Sequence, residues 1–150
     1  MKHKKEKTLI IIKPDGVKRK LIGEALARFE KAGLDISHLE VRRIKKPVAK
    51  KFYSHLKPMV HPKTFDNIIE YITSGKVIIG ILEGKNASKK VRKLCGPTNP
   101  KEAPKGTIRG DFGIYNMIMR IKQKKATKNI IHASESHHHA KREIKILWKI

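Results

Sequence analysis

Residues 8 to 12 read TLIII, an apolar and largely β-branched run with no polar alternation. A strand with one wet face alternates apolar and polar residues, so an unbroken run marks a strand buried on both faces. KVIIGILEG at 76 to 84 repeats the pattern. Around these two strands the periodicity turns helical. Ile22, Ala25, Leu26 and Phe29 share one helical face, and Gly33 supplies the stop. Asp35 to Ile44 reads as a strand that closes before Pro47. Residues 47 to 56 and 65 to 73 read as helices, separated by KPMVHPKT, whose prolines make it a loop. Asn86 then caps a helix through Leu94.

NIIHASES at 129 to 136 supplies a fourth strand and SHHHAKREIKILW a last helix, with Ser136 as its N-cap. The order β, α, β, helices, β, α, β, α predicts an α+β ferredoxin-like sandwich, a four-stranded and mostly antiparallel sheet covered by helices. A length of 150 residues fits a single domain over 1–150.

Lys and Arg number 36 against 13 Asp and Glu, and the formal charge of +23 predicts attraction to polyanions such as nucleotides and nucleic acids. Residues 1–6 read as a basic tail. The single cysteine, Cys95, allows no internal disulfide and fits a reducing compartment. No apolar run is long enough to span a bilayer, and MKHKKEK followed only by Leu9 to Ile12 does not make a secretory signal. The expected location is the cytoplasm, with no membrane partner.

Two groups of residues carry chemistry. In the last helix Ala140, Glu143, Ile144 and Leu147 fall on one face, so Glu143 stands where an apolar residue belongs. A carboxylate turned inward is costly unless paired. His132, at the end of the preceding strand, is the available partner, and a histidine held through one nitrogen presents the other as nucleophile or base. The alternatives are a core histidine with one satisfied nitrogen and a Glu143 that reaches water at the edge of the stripe. The second group is Lys13 at a strand end, Arg92 in a helix, and Thr98 and Arg109 in the Gly/Pro-rich loop Cys95 to Asp111. Gly106 and Gly110 free the backbone around Arg109 for close approach to a ligand, and arginine's fork suits phosphate. The alternative in so basic a chain is solvated surface charge; Arg92, Thr98 and Arg109 are expected to act on phosphate binding and not on the fold.

IKPDGV at 12 to 17, TNP at 98 to 100, GTIRGDF at 106 to 112 and NIIHASES at 129 to 136 together resemble the signature segments of nucleoside diphosphate kinases, in that family's order, from about Thr8 to Trp148. The resemblance implies the ferredoxin-like fold and a cytoplasmic homo-oligomer, a hexamer or a tetramer. It also implies Mg²⁺-dependent, ping-pong transfer of a γ-phosphoryl group between nucleoside triphosphates and diphosphates through a phosphohistidine. Carried over by position, His132 is the nucleophile, Glu143 orients it and Ser134 supports the carboxylate. Lys13, Tyr53, Arg92, Thr98 and Arg109 surround the phosphates, while Asn129 and Lys13 meet the ribose. No metal ligand is assigned, Mg²⁺ being held mainly by the nucleotide phosphates.

The sequence departs from the family in two places. Members stack the base on a phenylalanine after the tyrosine; here LKPMVHPKTF is lengthened, so Phe65 is the candidate, with Val60 or His61 as alternatives. The stretch 116–126 is a family-atypical insertion, and it reads as a hairpin or extended lobe, although Ile114, Met117, Ile118 and Ile121 also suit a helix. His137 to His139 point in different directions on a helix and cannot form one metal site. A rival function is a nucleic-acid-binding module, but an aromatic content of 5% offers no paired rings for base stacking. Non-specific nucleic-acid binding remains a secondary expectation. A catalytically dead relative is disfavoured because every matched position is filled.

Overall fold

The computed structural model describes residues 5–148. Most of the basic tail expected at 1–6 therefore lies outside the described residues, and Glu6 already opens the first strand. In chain order the elements are β1 (Glu6–Ile12), α1 (Pro14–Lys18), α2 (Ile22–Lys31), β2 (Asp35–Arg42), α3 (Lys46–Phe52), α4 (Pro62–Ile72), β3 (Val77–Gly84), α5 (Ala87–Cys95), α6 (Ile108–Phe112), α7 (Met117–Lys122), β4 (Ile131–Ala133) and α8 (His137–Trp148), with short 3₁₀ turns at Ser54–Leu56 and Pro100–Glu102.

The four strands lie in the order β2-β3-β1-β4. Every pairing is antiparallel, β1 with β3 and β4, and β2 with β3. The expected α+β sandwich is thus observed. Central strand β1 explains its own sequence. Ile10 and Ile12 point into one core with Phe29, Val91 and Ile108, whereas Leu9 and Ile11 point into a second with Phe52, Ile72 and Ile79. Leu9 to Ile12 are all fully buried. Each such side chain contributes about 1.5–3 kcal/mol on burial, which is why no polar residue alternates here.

Several local expectations are corrected. Pro62 ends no loop; it opens α4, whose first N–H needs no partner. Asn86 precedes α5 in the left-handed region, with φ 53° and no side-chain capping bond. The long loop contains α6, capped by Thr107, which accepts from the N–H of Gly110 at 3.0 Å. The hairpin expected at 116–126 does not form, because Met117–Lys122 is helical. Asn116 caps it by accepting from the N–H groups of Ile118 and Met119 at 3.0 and 3.3 Å. Ser136 does cap α8, accepting from His139 N–H at 3.2 Å. His137 to His139 are exposed.

Candidate active site

The fold brings the end of β1, the short strand β4 and helices α5 and α8 to one cleft. His132 stands opposite Ile11 in the β1–β4 ladder, its ring edge-on to Phe52 at 5.1 Å. From α8, Glu143 Oε1 lies 3.1 Å from His132 Nε2. Ser134 Oγ donates to the same carboxylate oxygen. Glu143 is only 4% exposed, so the inward carboxylate read from the sequence is paired and not wet. Burial pushes its pKa up, but the charge and hydrogen bond of His132, the Ser134 hydroxyl and Arg142 outweigh burial and hold it below the usual carboxylate range. With Nε2 engaged, Nδ1 is the nitrogen left for the cleft.

Cations line the rest of a cavity of about 390 Å³, together with Tyr53, Thr98 and Asn129. Lys13 Nζ donates to Asn129 Oδ1 at 2.8 Å, and Asn129 Nδ2 donates to the Thr98 carbonyl at 2.9 Å. Burial, then the neighbouring Arg109 charge, lowers Lys13 to about 8, against the opposing pull of Asp15. Burial, then Glu143, raises the Tyr53 hydroxyl. Arg92 Nη1 reaches the Ala133 carbonyl at 3.3 Å.

Arg109 differs from its expectation. It lines the cavity, yet it is 5% exposed and its guanidinium donates to three carbonyls: Gly96 at 2.7 Å, Ile131 at 2.5 Å and Asn129 at 3.3 Å. The residue clamps β4 to the loop before α6, so it serves the fold, against the expectation that it would not. Gly110 is likewise corrected. A Cβ there would stand 1.9 Å from the Pro104 carbonyl oxygen, so its freedom admits the loop's own backbone and not a ligand.

Beside the polar cavity and sharing Lys13, Tyr53, Thr98 and Asn129 with it, an apolar lobe of about 230 Å³ opens. Leu56, Val60, Thr64 and Ile68 line it from the α3–α4 side, and Met117, Ile121 and Ala126 from the segment before β4. Phe65 is not among its lining residues; it is 5% exposed and packed in the core, which removes it as a base-stacking residue. His61 is exposed and accepts from Lys63 N–H. Of the three residues weighed for the base, Val60 alone faces the lobe. Leu56, Met117 and Ile121 line it too, and the i, i+4 spacing of the last two is visible in the sequence.

The nucleoside diphosphate kinase family model matches residues 6–150. The chain belongs to the nucleoside diphosphate kinase family. A nucleoside diphosphate kinase of Sulfurisphaera tokodaii is 44% identical over 144 residues, covering 96% of this chain and 89% of the relative. One from Methanocaldococcus jannaschii is 41% identical, covering 97% and 94%. Among solved structures, a Borrelia burgdorferi nucleoside diphosphate kinase, a transition-state mimic with bound vanadate and ADP, matches with a TM-score of 0.89 at 38% identity, covering 95% of this chain and 86% of that one. An enzyme of the family from Pyrobaculum aerophilum matches with a TM-score of 0.85 at 33% identity, covering 95% of both chains. Family membership makes the chain a nucleoside diphosphate kinase-type phosphotransferase, and the cleft is where its chemistry is to be sought.

Proposed function

We propose that His132 Nδ1 carries the phosphoryl group in a ping-pong exchange between nucleoside triphosphates and diphosphates. The observation that carries this reading is the Nε2 to Glu143 contact of 3.1 Å inside a cleft lined by cations. Neutral imidazole keeps its proton on Nε2, shared with the carboxylate, and offers the Nδ1 lone pair to the γ-phosphorus. The Nδ1–P bond forms as the bond from phosphorus to the β–γ bridging oxygen breaks, and the diphosphate leaves with that electron pair. The phosphorylated ring is then cationic, and Glu143 stabilises it. A second diphosphate attacks the phosphorus through its terminal oxygen and restores His132.

Lys13, Arg92 and Arg109 neutralise charge on the transferring group, which is most of what phosphoryl transfer requires. Tyr53 and Thr98 border the phosphates, Asn129 with Lys13 receives the ribose, and Ser134 holds Glu143. Members of the family need a divalent cation. Among the described residues no cluster of three or more His, Cys, Asp or Glu could hold a metal ion, and the cleft is cationic, so we assign Mg²⁺ to the phosphates of the incoming nucleotide, as part of the substrate.

Initial velocities with γ-labelled ATP and GDP test the reading. Parallel double-reciprocal lines with label in GTP are expected, and intersecting lines would overturn the two-step exchange.

The same reading takes the chain as one catalytic domain of a cytoplasmic homo-oligomer, a hexamer or tetramer. Exposed Leu39 and Val41 on edge strand β2 support self-association, and a monomer in sedimentation would contradict it. Among the described residues no helix is long and apolar enough to cross a membrane. Non-specific nucleic-acid binding is supported by the charge and by an outer groove between α3 and α8 that carries Lys51, Lys141, Arg142 and Lys145. Such binding should collapse as salt rises, and salt-resistant binding would contradict it.

A further inference from the structure

The outer groove between α3 and α8 has a volume of about 1000 Å³, larger than either lobe of the cleft. Phosphoryl transfer makes no use of it. On α8, His138, Lys141, Arg142 and Lys145 fall at i, i+3, i+4 and i+7 and so line the groove with one helical face. Lys51 lines it from α3. Lys51, Lys141 and Lys145 are exposed, and among the described residues none of them pairs with a carboxylate. Val48 and Ile146 also line the groove, half-buried where the lysines are exposed. Aliphatic surface therefore lies inside and positive charge at the rim.

That combination selects among occupants. No aromatic ring lines the groove, so a nucleic acid would meet its rim charges alone. A second copy of the chain would bring a like surplus, +23 in formal charge, against the same lysines. A flat bilayer would rest on the exposed lysines and leave the half-buried Val48 and Ile146 uncovered. An extended peptide needs main-chain partners. Here the Arg142 guanidinium already donates to the carbonyls of Lys51 and Phe52 at 3.1 and 3.3 Å, and to Ser54 Oγ at 3.1 Å. A helix satisfies its own backbone and asks only for an apolar seat and complementary flanks.

We propose that the α3–α8 groove docks an acidic amphipathic helix of a partner protein. Its apolar stripe covers Val48 and Ile146, and carboxylates on its flanks meet Lys51, Lys141 and Lys145. The span from His138 to Lys145 is about 10 Å at 1.5 Å per residue, which matches two helical turns of the partner. His138 and Arg142 line the cleft as well as the groove, so the docked helix lies beside the entrance used by nucleotides. The proposal does not depend on the phosphotransfer reading.

Fluorescence anisotropy at physiological salt tests it, with a helical peptide of about three turns that carries leucines at i, i+3, i+4 and i+7 and glutamates on both flanks. The parent protein should bind it. A peptide with the leucines replaced by glutamine, equal in charge and still a good helix former, should bind at least roughly tenfold more weakly, since each buried leucine contributes about 1.5–3 kcal/mol. Lys141→Glu/Lys145→Glu should weaken the leucine peptide at least roughly tenfold, because like charges then face each other. Lys89→Glu/Lys93→Glu, the same change of charge at exposed positions on α5, should leave its affinity nearly unchanged. No binding by the parent would overturn the proposal. Equal binding of the two peptides would also overturn it, by making the groove a general anion surface. Equal losses in the two charge-reversed variants would do the same, by making net charge and not this groove responsible.

Discussion

Asp15 Oδ2 accepts the backbone N–H of Ile130 at 3.0 Å, joining residues 115 apart in the chain. Ile130 holds φ at 76°, a conformation that disfavours a β-branched residue and stores about 1–3 kcal/mol. Its carbonyl accepts from Lys13 N–H at 2.8 Å. A Cβ on Gly16 would stand 2.9 Å from that carbonyl oxygen. Three residues of KPDG therefore hold the bent backbone two positions ahead of His132.

Asp15→Ala should release that bend. A hydrogen bond to a charged acceptor contributes about 1.5–3 kcal/mol, so the urea midpoint should fall accordingly, and phosphoenzyme formation should slow because His132 loses its fixed approach. Asp15→Asn, which keeps an acceptor for Ile130, should recover part of both. A midpoint unchanged in Asp15→Ala would show that Ile130 is held without it.

Arg109→Lys should lose stability and turnover together. One ammonium cannot span carbonyls of Gly96, Asn129 and Ile131 as the guanidinium fork does. We expect a loss of about 3 kcal/mol or more in unfolding free energy, alongside at least a roughly tenfold fall in kcat/KM. Impaired kinetics at full stability would return Arg109 to the pure phosphate-binding role read from the sequence.

That contrast marks what was legible. Unbroken apolar runs located β1 and β3, and Glu143 on an apolar stripe located the partner of His132, because burial leaves a periodic trace. The carbonyls that Arg109 clamps come from Gly96, Asn129 and Ile131, and nothing local to Arg109 names them. Gly110 makes room for Pro104 and not for a ligand, since a glycine records a close approach without saying by what. Phe65 is the base-stacking candidate that the family pattern offers, whereas on α4 it turns inward with Ile69 and Ile72. The segment at 116–126 fitted both periods over its short length, and Asn116 was the cap that decided it.

Nucleotide binding should take up a proton at alkaline pH. Lys13 sits at about 8 in the free enzyme, below its ordinary 10.5, and bound polyphosphate favours the charged form. Calorimetry at pH 9 in buffers of different ionisation enthalpy should therefore report proton uptake, with KM rising above pH ~8. The linkage to folding has the matching sign. Between about 8 and 10.5 the unfolded chain binds more protons at this site, so the contribution of Lys13 to stability increases with pH across that window. Proton-neutral binding at pH 9 would contradict the placement of Lys13 at the phosphates.

The position of phosphate on the imidazole tests the central claim most directly. Enzyme incubated with ATP and Mg²⁺ and no acceptor should carry one phosphoryl group, labile to acid and stable to base, which an added nucleoside diphosphate discharges. Because Nε2 is engaged by Glu143, phosphorus NMR of the isolated phosphohistidine should identify the Nδ1 isomer, and Glu143→Gln should form it more slowly. His132→Ala should remain folded and unlabelled. Label on Nε2, label that survives acid, or label that persists in His132→Ala would contradict the account.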